Sequence, residues 1–133
     1  MRFVVTNNPK VRDCFAARHL ARCYQLIWVE GYTEDVLRSV RDLSHQCHRL
    51  LTHPLTGSIK PNQTPYKTVV MENTSAQVPE PDSVVLAETA LAKTVAMLRD
   101  RPRPEAAFRH LDDFAVIDLD FFLSYLGSPD CPC

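Results

Sequence analysis

Residues 49–71 read RLLTHPLTGSIKPNQTPYKTVVM: a short apolar run, a long polar stretch, and a second apolar run that ends on β-branched residues. The two runs, Leu50–Thr52 and Lys67–Met71, read as strands, because apolar and β-branched residues bounded by turn formers favour extended chain. Between them, from His53 to about Pro65, no helical or strand periodicity is present. Loops longer than about 12 residues are uncommon in compact domains, and when ordered they are usually functional. Pro54, Pro61 and Pro65 fix φ and reduce the entropy lost on ordering. The loop is therefore expected to be shaped rather than loose.

Outward from this stretch the chain alternates strand and helix. Arg2–Thr6 is a β-branched run stopped by Asn7, Asn8 and Pro9, with Asn8 placed to cap a helix and Pro9 at its first position. Val11, Cys14 and Phe15 keep helical spacing to about His19, and Gln25–Val29 reads as the next strand, ended by Glu30 and Gly31. Thr33 is the expected cap of a helix with Glu34 and Asp35 in its first turn and Val36, Leu37, Val40, Leu43 and Cys47 along one face. After a connection over residues 72–82, Asp82 or Ser83 should cap a long helix, Val84–Arg99, which Pro102 and Pro104 end. The Arg99, Arg101 and Arg103 group reads as a solvated helix end. Pro104–Asp112 reads as a short helix and Phe114–Ile117 as a short strand, with Asp118 capping a helix over Leu119–Leu126. This alternation predicts a single three-layer α/β domain over residues 1–127, with a largely parallel sheet of about four to five strands flanked by helices. Residues 128–133 form a C-terminal tail.

In such sheets ligands bind beyond the carboxyl ends of the strands. That edge would collect Thr6, Asn7 and Asn8, then Glu30 and Gly31, then the long loop. The loop lies in a window, Leu43–Met71, with no Asp or Glu; a chain with 16 acids in 133 residues would place about three or four there by chance. Arg49, Lys60, Lys67, His45, His48 and His53 share the window, so its local charge is positive in a chain of formal net charge -1. Thr52, His53, Thr56, Gly57, Ser58 and Lys60 offer hydroxyls, an imidazole, an ammonium and a glycine whose backbone can approach closely, which is what a phosphate or carboxylate requires. Asn62 and Lys67 complete the expected ligand-binding set. The glycine-to-lysine spacing is not that of a Walker A loop. The competing reading is an ordered loop whose hydroxyls satisfy its own backbone.

Other classes fit poorly. No contiguous basic stripe supports nucleic-acid binding, and no apolar run approaches the roughly 18 residues of a membrane span. Met1 leads almost directly into FVV, leaving no room for a signal peptide, so a cytoplasmic location is expected. Five scattered cysteines suit a reducing compartment better than a disulfide framework. His45, Cys47, His48 and His53 lack a paired CxxC or HExxH, so no metal and no cofactor are expected. Ser58 with His53 lacks an orienting acid, which argues against a hydrolase. Phe121, Phe122 and Tyr125 exceed what a terminal helix needs to cover one face, which points to a homodimer contact.

The runs VVTNNP, VEG and LLTHPLTGSIKPNQTPYK resemble the GrdX family, small proteins encoded with the glycine, sarcosine and betaine reductase systems. The likeness is most specific from Leu50 to Lys67 and weakens after about Pro79. It implies a cytoplasmic accessory role and supplies no established activity, cofactor or catalytic residue. Glycine reduction of this type yields acetyl phosphate, so phosphate or a small acyl phosphate is one sensible occupant of an acid-free loop. The alternative is a protein-binding assembly factor whose loop recognises an acidic patch on a reductase subunit.

Overall fold

The decisive strand, β4 (Thr68–Asn73), runs antiparallel to both of its neighbours, and this sets the architecture. A computed structural model describes residues 1–55 and 59–127. The chain begins with β1 (Arg2–Thr6) and α1 (Pro9–Ala17), then a 3-10 turn (Leu20–Arg22) and β2 (Tyr24–Trp28). It continues through α2 (Thr33–His45) and β3 (His48–Leu50) to the long loop and β4, and ends with α3 (Pro81–Asp100), α4 (Glu105–Arg109) and α5 (Leu111–Leu126). The sheet order is β2-β1-β4-β3. Among the described residues only β1 and β2 pair in parallel, so the expectation of a largely parallel sheet is corrected to a mixed, mostly antiparallel sheet of four strands. The reason is the loop itself. A parallel return needs a crossover, usually a helix, and the described residues of the 51–67 stretch contain none, so β4 comes back antiparallel between β1 and β3.

Alternation along the central strands divides the core. Val4 and its partner Val70 face one side, where Val11 and Phe15 of α1 and Phe122 of α5 pack on them. Val5 and its partner Val69 face the other, against Val36 and Val40 of α2 and Ala87 of α3. The result is two helices on each face of one sheet, three layers in all.

Several local expectations need correction. Phe114–Ile117 is not a strand but lies inside α5, and Asp118 is a mid-helix residue rather than a cap. The buried positions Ala115, Asp118 and Phe122 are spaced three and four apart, a helical period that the β-branched Val116 and Ile117 disguise. Strand β3 starts earlier than expected, directly after Cys47, whose φ of 64° turns the chain out of α2. The cap of α3 is Glu80, with Pro81 at the first position; Ser83 instead accepts from the Leu50 N–H and donates to Glu80 Oε1. Tyr32, not Thr33, caps α2, and its N–H donates to Asp35 Oδ2 at 2.8 Å. Cys14 and Cys47 are free thiols.

Arg103 does not belong to a solvated helix end. Its side chain is only 5% exposed, and its guanidinium pairs with Glu34 at 3.1 Å, donates to the Pro61 carbonyl and lies over the Tyr32 ring. It thereby ties the loop to the start of α2. Asn62 adds a bond to the Arg101 carbonyl.

Gly31, between β2 and α2, has φ of 118° and sits against the Asp35 carboxylate that closes the first turn of α2. A Cβ there would overlap Asp35, and the backbone angle is one that other residues rarely adopt. Gly31→Ala should cost about 1 to 3 kcal/mol, since strain at a special φ adds to the loss of the Asp35 bond. A urea midpoint unchanged from the parent chain would contradict this.

Candidate functional site

The carboxyl ends of β1, β2 and β3 and the start of β4 lie at one edge of the sheet, because β4 alone is reversed. Asn7, the first residue beyond β1, joins the three turns that meet there. Its Nδ2 donates to the Gly31 carbonyl at 2.9 Å and to the Pro65 carbonyl at 2.8 Å, and its Oδ1 accepts from the Lys67 N–H at 2.9 Å. Thr33 supports the same junction by donating to the Thr64 carbonyl at 2.8 Å. The described part of the loop is thus shaped, as its prolines suggested.

Asn8 is fully buried and does two jobs. Its Oδ1 accepts from the Lys10 N–H as the cap of α1, while its Nδ2 donates to the Ala115 carbonyl and to Asp118 Oδ2 at 2.9 Å. Asp118 also accepts from the Thr68 N–H at 3.0 Å and the Thr68 hydroxyl at 2.6 Å. Since Thr68 spends its one hydroxyl hydrogen on Asp118, it must accept from Thr6 Oγ1, 2.8 Å away, and Thr6 in turn accepts from the Asn8 N–H. A continuous polar chain therefore runs from β1 across β4 to α5, inside an otherwise apolar layer.

Lys67 and Asp118 both line two small clefts, of about 20 and 40 Å³, between the loop and α5. Ile59, Thr64, Tyr66, Phe114 and Ile117 complete the first. Thr52, His53, Thr68 and Tyr125 contribute to the second, and Phe121 lines both. Such space holds one to a few waters or a species of similar size. Lys67 is only 8% exposed. Burial pulls its ammonium below the ordinary lysine range, against the Asp118 charge that holds it up. Burial pushes Asp118 above the ordinary carboxyl range, and its bonds from Thr68 and Asn8 and the Lys67 charge oppose that. Burial likewise raises the Tyr66 phenol, reinforced by Asp112 and Tyr32.

A family model, GrdX-like protein, matches residues 3–127. The chain belongs to the GrdX family. Neither a curated protein nor a solved structure matches it.

In this GrdX-family chain the structure gathers some of the expected ligand-binding residues and separates others. Thr52, His53 and Lys67 meet at one cleft, with Asn7 and Asn8 bracing its floor. Thr52 Oγ1 accepts from the Val70 N–H and His53 Nδ1 from the Leu55 N–H. Lys60 is exposed and lines neither cleft, and Asn62 is buried and donates to the Arg101 carbonyl instead. Thr56, Gly57 and Ser58 lie outside the described residues. Sequence reasoning placed Thr6 at this edge but missed Asp118, Thr68 and Phe121 as parts of the site. The signal for Asp118 was an acid inside the apolar run FAVIDLDFF, at helical spacing from Ala115 and Phe122. Two of the three aromatics assigned to a dimer contact are used internally: Phe122 is core, stacked on Phe15, and the Tyr125 hydroxyl accepts from Arg2 at 2.8 Å. Among the described residues no three His, Cys, Asp or Glu side chains gather as a metal site would need, and no helix is long and apolar enough to cross a membrane.

Proposed function

We propose that this protein is an accessory factor of glycine, sarcosine and betaine reductase metabolism that holds a small anion, such as phosphate, an acyl phosphate or a carboxylate, between the 52–67 loop and α5. The observation that carries the reading is the buried Lys67 at two small clefts, to which the loop also brings Thr52, His53 and Thr64 and no acid. Asp118 restrains it, since an anion must share the site with a carboxylate; the bonds from Asn8 and Thr68 already absorb much of that charge. Calorimetric titration with phosphate, acetyl phosphate and glycine tests the reading. Lys67→Met should weaken phosphate or acetyl phosphate binding by about 1.5 to 3 kcal/mol, the scale of a charge-assisted hydrogen bond. Affinity should also fall as pH rises, because a lysine with a lowered pKa loses its proton sooner than an exposed one. No heat from any of the three with folded protein would remove the anion site.

A second reading draws on Lys60, which stands exposed outside both clefts. In that position it suits recognition of an acidic patch on a reductase subunit. Lys60→Ala should then slow association with that subunit in a salt-dependent way and leave phosphate binding unchanged.

A further inference from the structure

Of the chain's four lysines, Lys10, Lys60, Lys67 and Lys93, only Lys67 is buried. It lines both clefts beside Asp118, whose carboxylate is held in place by Asn8 and both donors of Thr68. Phe114, Ile117 and Phe121 supply apolar wall. A buried amine that lines the same small, partly apolar clefts as a positioned carboxyl group is an arrangement that favours lysine as a nucleophile. The geometry points to Lys67 as a carbonyl-reactive amine that forms an imine with a short aldehyde or 2-oxo acid, with Asp118 as the proton carrier. The directions of the two ionisations agree with this assignment: Lys67 moves down and Asp118 up, each toward the range where proton exchange between them is cheap.

The chemistry balances without a further reactant. The Nζ lone pair attacks the carbonyl carbon, the C–N bond forms as the C=O π bond breaks, and the nitrogen's proton passes by way of Asp118 to the oxygen, giving a carbinolamine. The hydroxyl then leaves as water, taking a proton from Asp118, while the nitrogen returns its remaining proton to the Asp118 carboxylate and the C=N bond forms. Amine plus carbonyl gives imine plus water.

The inference concerns the cleft assigned above to a small anion and goes beyond it, so the test lets either fail alone. The full chain is treated briefly with glyoxylate or acetaldehyde and cyanoborohydride, the external hydride source that traps the imine as a secondary amine, and labelling at each lysine is followed by peptide mass spectrometry. Because burial favours the neutral amine of Lys67, it should label at least about tenfold faster than Lys60 or Lys93. Labelling by glyoxylate but not acetaldehyde identifies a carboxylate-bearing carbonyl, and labelling by both a short aldehyde. Asp118→Asn, confirmed folded by its unfolding transition, should slow Lys67 labelling by about tenfold and flatten its pH profile. Lys67 labelling no faster than Lys60 overturns the assignment even where phosphate gives heat, and an unchanged rate in Asp118→Asn removes the carboxyl from it. Selective Lys67 labelling in a protein that gives no heat with phosphate supports the amine and sinks the anion site.

Discussion

Asp118→Ala is expected to destabilise the protein by about 3 to 5 kcal/mol, the cost of breaking a buried charge network from one side. The carboxylate accepts from Asn8 Nδ2 and from the Thr68 N–H and hydroxyl, on a residue 9% exposed. Alanine leaves those donors unanswered in a layer packed by Phe122 and Val70, and it leaves Lys67 buried without the carboxylate that supports its charge. Asp118→Asn keeps one acceptor oxygen and should cost less, about 1 to 2 kcal/mol. The pH dependence has a definite sign. Lys67 has a folded pKa below its unfolded one, so between the two values the unfolded chain binds more protons and stability rises with pH. Removing Asp118 lowers the folded value further, which widens that window downward. The deficit of Asp118→Ala relative to the parent should therefore shrink from about pH 7 to about pH 9.5. Urea unfolding at the two pH values measures it. A loss under about 1 kcal/mol would show that the polar chain from Asn8 to Asp118 is not structurally coupled.

What could be read in advance follows from how local each signal is. The caps and turns around Asn8 and the face of α2 are set within a few residues, and they were legible. The presence of a sheet with helices on both faces was legible too, from alternation alone. The direction of β4 was not, because nothing within TPYKTVVM states which neighbour it pairs with; that is decided by Val4 meeting Val70 and by a loop too irregular to serve as a crossover helix. The loop was recognised by its missing acids, and Lys67 came with it. Its counterpart Asp118 is separated from Thr68 by fifty positions and was hidden by the reading of Val116 and Ile117 as strand. Arg103 was misplaced for a related reason: a run alternating arginine with aspartate and proline looks solvated until Glu34 and Tyr32 are brought beside it.

Asn7 gives the second large effect. One amide satisfies two carbonyls and one N–H from turns distant in sequence: Gly31 at the head of α2, Pro65 at the end of the loop, and Lys67 at the entry to β4. With Asn7 itself 4% exposed, no water readily replaces it. Asn7→Ala should cost about 2 to 4 kcal/mol, as each buried group left unpaired costs roughly 1 to 3 kcal/mol and part of that is recovered by relaxation of the loop. Asn7→Asp separates the roles of the two ends of the amide. A carboxylate can still accept from the Lys67 N–H, yet its second oxygen meets the Gly31 and Pro65 carbonyls, acceptor against acceptor, so aspartate should rescue little or nothing near neutral pH. Lowering the pH should help the aspartate variant more than the alanine one, because a protonated carboxyl can donate to one of those carbonyls. The same substitutions loosen the backbone that carries Lys67 into the clefts, so phosphate heat and selective Lys67 labelling, where the parent shows them, should both weaken in Asn7→Ala. If Asn7→Asp unfolds with the parent's midpoint at neutral pH, the two carbonyl contacts contribute nothing and the junction is held by Thr33 and Arg103 instead.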